Sequence, residues 1–323
     1  MMNLVNASQT PHVRSEESTR SIMLDVIIAL LPATIFGVYS FGVNSLIIII
    51  ATILSCIISE TVFNIIMKKQ NTISDLSCVV TGLILALNMP PECPAFIPVI
   101  GGVFAIIVVK MLFGGLGQNF MNPALAARCF LLISFAGPVS TFTYKQGFAG
   151  VDVMSEATPL AAIKAGQNIN IVNTFIGNIP GTIGEISTAC LLIGAIYLLV
   201  RKVIDYKVPV LYIVSFMIFL ILFGSIKGTP ISNPNYLLGQ LLGGGRIFGA
   251  FFMATDYVTI PLTSNGKVLF GLFLGFMTAI FRVFGKSTEG VSYAIIIANM
   301  LVPFMDMMTI PKAFGKEKKN EKK

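Results

Sequence analysis

The chain has 323 residues, a formal net charge of +7, 55% hydrophobic and only 11% charged residues, and a mean hydropathy of +0.84. A water-soluble domain carries roughly 25% charged residues, so this composition excludes a soluble globular protein. Six lysines of the positive balance (Lys312, Lys316, Lys318, Lys319, Lys322, Lys323) form a C-terminal tail, which reads as an anchor on one side of a membrane and not as a nucleic-acid-binding surface.

Taken in order, residues 1–21 are polar and mixed in charge. The apolar run 22–42 is too long for the hydrophobic region of a signal peptide and is followed by no obvious cleavage site, so it reads as a permanent span. A helix of ~20 apolar residues crosses the ~30 Å hydrocarbon layer with every backbone polar group satisfied internally. Further spans are expected at 45–67, 75–89, 96–113, 122–137, 184–202, 208–226, 236–254, 265–284 and 289–308. The third is short and ends at Asn88-Met89-Pro90-Pro91. The eighth is interrupted by Gly243-Gly244-Gly245 and ends at Ala254-Thr255-Asp256. The expected fold class is an all-α polytopic membrane protein of about ten transmembrane helices.

Charge orients these spans. Arg14, Arg20, Lys68, Lys69, Lys110, Arg201, Lys202, Lys207, Lys267 and the tail lysines make 15 basic residues on one side; Lys145, Lys164, Lys227, Arg282 and Lys286 make 5 on the other. Basic residues are retained on the cytoplasmic side, which places both termini in the cytoplasm and residues 138–183 outside. The organisation expected is a cytoplasmic segment (1–21), a first transmembrane repeat (22–137), an extracytoplasmic loop (138–183), a second repeat (184–308) and a basic tail (309–323). The word repeat rests on GLILALN at 82–88 against GAFFMATD at 249–256, each followed by a proline (Pro91, Pro261), an apolar span and a Phe-Gly pair (Phe113-Gly114, Phe284-Gly285), at offsets of 167, 170 and 171 residues. Five spans per half is odd, so the second copy is inverted. Inverted repeats with broken helices place a site or pathway where the breaks meet, which also suits a secondary transporter or channel without a redox cofactor, or a non-redox scaffold subunit.

Titratable residues inside spans are functional candidates by default. Asp25 and Glu60 fall near the cytoplasmic ends of their spans, where an interfacial position explains them. Arg128 and Arg246 lie deeper and call for an acid or a ligand. Asn88 and Asp256 end the two broken helices at equivalent places and are the candidates for a cation path. The five cysteines (Cys56, Cys78, Cys93, Cys129, Cys190) form no Cys-x-x-Cys pair and read as small buried hydrophobes. His12 is the only histidine, which argues against histidine ligation of metal or haem.

In the outer loop, DVMSEATPL at 152–160 places Thr158 before a proline that biases it toward an extended backbone. Ala157 leaves room for a bulky group, and Asp152 is placed to polarise the hydroxyl or hold a divalent cation. Asp152-x-x-Ser155-x-Ala157-Thr158 resembles the flavinylation motif Asp-x-x-Ser/Thr-Gly-Ala-Thr, in which FMN is esterified through its phosphate to the threonine; Glu156 stands where the motif has glycine. The resemblance extends over residues 10–308, through Pro11-His12-x-Arg14, DVIIALLPA (25–33), TGLILALNMPP (81–91), NFMNPALA (119–126) and Ala254-Thr255-Asp256. The chain thereby resembles the family of the D subunits of Rnf electron-transport complexes and the related B subunits of Na⁺-translocating NADH:quinone reductase. That resemblance implies FMN on Thr158 and a non-covalent riboflavin at Asn119 and Asn122. It further implies the A, B, C, E and G subunits as partners, with ferredoxin and NAD reached through the complex, and transport of Na⁺ or H⁺ in the cell membrane. From the residues alone, Asn122 equally caps the helix that begins at Pro123.

Overall fold

The computed structural model describes residues 18–142, 144–145, 153–154, 158–164, 166–167, 169–231, 233–285 and 290–311. Helix α1 (Thr19–Phe41) starts at Ser18, whose side chain and that of Ser21 cap each other's backbone amides. It turns into α2 (Val43–Ile66) through Gly42 alone, at φ +79°, a conformation that favours a residue without Cβ. Helix α3 (Ser77–Leu87) stops short because Pro90, Pro91 and Pro94 supply no amide hydrogen, and the chain then runs to α4 (Phe96–Val103). That helix continues without a break as π-type helix over Phe104–Met111. Asn122 caps α5 (Pro123–Ser134), its Oδ1 accepting from the amides of Ala124 and Leu125 with Pro123 in the first turn. Short helices α6 (Ala136–Ser140), α7 (Pro159–Lys164) and α8 (Ile171–Ile176) follow, with one antiparallel pairing of Tyr144–Lys145 against Val153–Met154 between them.

The second half runs through α9 (Thr188–Val200), α10 (Lys207–Lys227) and α11 (Pro234–Leu242). After the three glycines, α12 (Arg246–Phe248) passes into a second π-type stretch, Gly249–Met253, and α13 (Ser264–Phe284) and α14 (Val291–Thr309) complete the bundle. Among the described residues α1, α2, α10, α13 and α14 are long and apolar enough to cross a membrane, whereas α3, α4 with its π-type continuation, α5 and α9 are apolar but shorter. The ends of all these segments fall within four residues of those expected from the sequence. The chain is a multi-pass membrane protein.

Association of helices in lipid depends on close backbone approach, since lipid is as apolar as the side chains. On α13 a Cβ at Gly271 would meet Leu211, and one at Gly275 would collide with Ser215 Oγ and the Phe216 amide of α10. On α9 a Cβ at Gly194 would collide with the Ala29 carbonyl of α1. A continuous apolar core joins the two halves through Leu30, Leu85, Leu125, Leu191, Phe252 and Ile295.

The stretch expected as an outer loop at 138–183 is more than a hydrophilic connection. Pro159, Leu160 and Ile163 are buried, and residues 179–187 lie against the broken end of α3. There the Ile183 and Gly184 amides donate to the carbonyls of Met89 (3.0 Å) and Leu87 (2.8 Å), groups that a truncated helix leaves without partners. The same strand of chain carries Glu185, whose carboxylate meets Arg128 Nη1 of α5 at 3.2 Å, and Arg128 Nη1 also donates to Asn88 Oδ1 at 2.5 Å. The outer segment is thereby bound into the fold.

Two expectations about charge need correction. Lys110, counted with the basic residues of one side although it falls inside the expected span 96–113, lies in the π-type stretch, buried, with Nζ 2.7 Å from Glu60 Oε2. Glu60 in turn is fully buried, not interfacial, because that ammonium compensates it inside the bundle. Asp25 is also buried, bonded by Tyr197 (2.7 Å) and Arg201 (3.3 Å) of the α9 end, which ties the first helix of one half to the first of the other.

Gly275→Val should force α10 and α13 apart and destabilise the chain by about 2 kcal/mol, read as a lower thermal midpoint in detergent; an unchanged midpoint would contradict the packing. Glu185→Gln leaves a buried guanidinium short of its counter-charge and should cost about 3 kcal/mol, whereas adding Arg128→Met should recover most of the loss. Equal loss in the single and double variants would show that the pair does not hold the segment.

Candidate functional site

At the end of the bundle where α1 begins, a cavity of about 760 Å³, counted with its open mouth, lies between the two halves. Its walls are mostly apolar, with Val26, Val80, Ile84, Leu198, Phe251 and Phe252 among them. Its amide and charged side chains come from separate elements: Asn119 and Asn122 from the turn before α5, Asp256 from the loop after Met253, and Lys110. Both π-type stretches border this cavity, one bringing Lys110 and the other Phe251 and Phe252. Such distortions recur at functional sites because they displace a side chain from the α-helical register.

Asn119 makes one side-chain hydrogen bond among the described residues, from Nδ2 to the Met121 carbonyl at 3.1 Å, so its Oδ1 remains an acceptor at the wall. Asn122 is more committed. Its Oδ1 is the cap of α5 and its Nδ2 reaches the Met253 carbonyl at 3.4 Å, stitching the α5 turn to the second π-type stretch. Asp256 Oδ1 accepts from the Val258 amide (3.3 Å) and Oδ2 from the Thr259 hydroxyl (3.4 Å), long bonds that leave carboxylate lone pairs toward the cavity. The donor set suits a planar heteroaromatic ring with amide-type edges, with apolar surface for its faces and acceptors and donors at its rim.

Thr158 is at the opposite end. It is half-buried as the residue before α7, its Oγ1 accepting from the Ala161 amide at 3.4 Å. It lines a smaller pocket, about 380 Å³ counted with its open mouth, together with Glu185 and Gly244. Gly244 and Gly245 take φ of +68° and +65°, and a Cβ on Gly245 would collide with the Glu185 carboxylate. The break of the second half therefore meets the segment that caps the break of the first. Asp152, Ser155 and Ala157 of the same motif lie outside the described residues. Around this end Lys164, Lys227 and Arg282 donate to carbonyls at the close of α13 and at the glycine break: Lys164 to Gly285 (3.1 Å), Lys227 to Val283, and Arg282 to Gly243 and Gly244. Burial, then the charges of Arg282 and Lys227, hold the Lys164 ammonium below its ordinary pKa.

The structure thus brings Asn119, Asn122 and Asp256 together and keeps Thr158 and Asn88 away from them. Met23 borders the inner cavity and Gly37 packs on Ile183 of the outer segment, so 14 residues of α1 put the two ends about 20 Å apart. Asn88 does not fit the cation role expected for it: its Oδ1 is bonded by the Arg128 guanidinium, which stands where a cation would, and its Nδ2 donates to the Ile84 carbonyl at 2.7 Å. Arg246 is wholly buried and pairs with no acid among the described residues; its guanidinium stacks on the Phe216 ring, 3.5 Å from the centroid. Among the described residues no three His, Cys, Asp or Glu side chains gather as a metal site. Sequence reasoning missed Lys110 and Glu185. The signal for Lys110 was its position within an apolar run; Glu185, at a predicted span boundary, gave none.

The sequence profile described as the NQR2, RnfD, RnfE family matches residues 6–315. The chain is 41% identical over 321 residues to the D subunit of the Na⁺-translocating ferredoxin:NAD⁺ oxidoreductase complex of Acetobacterium woodii, covering 97% of both chains. It is 38% identical over 324 residues to the D subunit of the proton-translocating ferredoxin:NAD⁺ oxidoreductase complex of Clostridium ljungdahlii, again with 97% of both covered. Against the D subunit of the ion-translocating oxidoreductase complex of Aliivibrio salmonicida the identity is 32%, over 96% of this chain and 98% of the relative. With a match that spans nearly every residue, the chain belongs to the NQR2, RnfD, RnfE family.

Proposed function

We propose that this chain is the flavin-bearing D-type membrane subunit of an ion-translocating ferredoxin:NAD⁺ oxidoreductase, the Rnf complex, relaying electrons and helping couple them to Na⁺ or H⁺ transport. The observation that carries the reading is the placement of two cavities at opposite ends of one bundle. One is beside the Thr158 hydroxyl; the other is edged by Asn119, Asn122, Asp256 and Lys110. Thr158 bears FMN as a phosphate ester, and the inner cavity holds riboflavin without a covalent bond. The flavins supply reversible electron uptake; the chain supplies their positions, an apolar enclosure and polar contacts at the rim. A tether on Thr158 keeps its flavin at high local concentration beside the Glu185–Arg128 network.

In this reading the chain crosses the cell membrane ten times as two inverted five-helix repeats, with α3 and α12 as the broken members. The N-terminal segment, the basic tail and the inner cavity are cytoplasmic, and Thr158 is extracytoplasmic. The other Rnf subunits cover the membrane-facing and outer surfaces. Asp256 carries the cation role, since its carboxylate borders the inner cavity and a change of charge there would alter its affinity for a cation.

Three measurements test this. The denatured chain from a host with flavin transferase should fluoresce in a gel under ultraviolet light, and Thr158→Ala should abolish the band; a dark wild-type band would favour the transporter reading. Asn119→Leu should reduce the riboflavin extracted from the folded complex at least tenfold, a loss of about 1.4 kcal/mol, without changing the covalent band. Asp256→Ala should leave electron transfer intact while ion transport per electron falls; unchanged coupling would remove Asp256 from the cation path.

A further inference from the structure

Lys110 and Glu60 form an ion pair with both partners almost wholly buried between α2 and the π-type stretch. Holding two helices together does not require such a pair, since apolar side chains of similar volume do so at no desolvation cost. Ionisable groups inside a membrane are accordingly read first for function. Three features of this pair go beyond structure. Lys110 borders the inner cavity. Its helix is distorted to π-type geometry at that point. And the pair is not closed on itself: Glu60 Oε1 accepts from the Thr72 hydroxyl at 2.5 Å, Thr72 Oγ1 accepts from Asn64 Nδ2 at 3.2 Å, and Thr72 is exposed. On its other side Lys110 Nζ donates to Ser77 Oγ at 2.6 Å, and Ser77 donates to Asp75 Oδ1 at 2.6 Å, which fixes the ammonium in place. A continuous hydrogen-bonded chain therefore leads from the cavity wall to the surface.

We propose that Lys110 is the proton donor to the ring held in the inner cavity, and that Glu60 and Thr72 form its supply line from the surface. The proposal rests on the reading of that cavity as a flavin site, because a ring of this kind takes up protons with electrons. The balance is one proton per electron. For each electron that a flavin bound here would take from a one-electron carrier of the complex, an Nζ–H bond of Lys110 would break and its proton would pass to the ring. Lys110, left as a neutral amine, is reprotonated through Glu60, whose carboxylate receives a proton from water by way of the Thr72 hydroxyl. The ammonium–carboxylate pair is then restored. The titratable groups facing Lys110 are Glu60 on α2, Asp75 before α3, the Cys56 and Cys78 thiols on α2 and α3, and Asp256 across the cavity. Of these Glu60 is in direct contact and linked to the surface.

The test uses the intact complex with Lys110→Met, Glu60→Gln and Thr72→Val. Riboflavin content is measured by extraction, its reduction by stopped-flow absorbance in H₂O and D₂O, and the Glu60 carboxyl by infrared difference spectroscopy on photoreduction. Lys110→Met should retain riboflavin yet slow its reduction roughly 10²-fold, the scale of a lost general acid, and added methylamine should restore part of the rate. Thr72→Val should slow reduction in the same sense and enlarge the D₂O effect. A carboxyl band present in wild type should vanish in Glu60→Gln. Wild-type rates in Lys110→Met with riboflavin bound would overturn the donor role. Should Lys110→Met fail to assemble, unchanged rates and D₂O effect in Thr72→Val, at the exposed end of the chain, would overturn the supply line. Wild-type complex without riboflavin would remove the flavin reading itself, an outcome distinct from bound riboflavin reduced at an unaltered rate.

Discussion

The architecture depends on one guanidinium. Arg128 is buried inside α5, where an unpaired charge is costly, and it is held by Asn88 at the broken end of α3 and by Glu185 from the segment before α9. Each of these elements would be costly alone. A helix that stops within a membrane leaves carbonyls without partners, and the outer segment brings amides and a carboxylate into an apolar bundle. Together they close one another's deficits: Ile183 and Gly184 satisfy Met89 and Leu87, and Glu185 compensates Arg128. Non-helical backbone persists here because protein surrounds it and satisfies its polar groups.

That junction divides the molecule into two functional ends. On one side the Thr158 pocket rests on Glu185 and Gly244, at the meeting of both helix breaks. On the other the inner cavity is bordered by the turn before α5 and the loop after the second π-type stretch, which Asn122 links through Met253. The polar junction and the packed core lie between them. Close glycine contacts at α9–α1 and α13–α10 let backbones approach without flexible side chains between them.

The two buried cations in the second half behave differently from Arg128. Arg246 lies on the Phe216 ring, and Arg282 donates to the carbonyls of Gln240, Gly243 and Gly244. A ring face supports Arg246, and carbonyl dipoles contribute to holding Arg282. Arg282 thus fixes the glycine break by donating to its carbonyls, so that the second broken helix is organised by a cation, as the first is, through different chemistry.

How much of this was legible in the sequence follows from the range of the forces involved. Span positions, the stops at Pro90-Pro91 and at Gly243-Gly244-Gly245, the Asn122 cap and the apolar class of the protein are local or near-local consequences of side-chain type, and the helices lie where hydrophobic runs and caps put them. The candidate residues Asn119, Asn122, Asp256 and Thr158 were also visible as residues. Their grouping was not: that three of them share a cavity while Thr158 stands about 20 Å away depends on contacts between segments more than a hundred positions apart, such as Asn122 with Met253. Lys110 falls inside the expected span 96–113 but was counted only as a basic residue of one side; the packing of α2 against the π-type stretch supplies Glu60 and makes that position tolerable. Composition determined the solvent this protein folds in and where its helices run. Tertiary structure decided which buried charges meet, because compensation of a charge in an apolar medium acts through space and leaves no periodic trace along the chain.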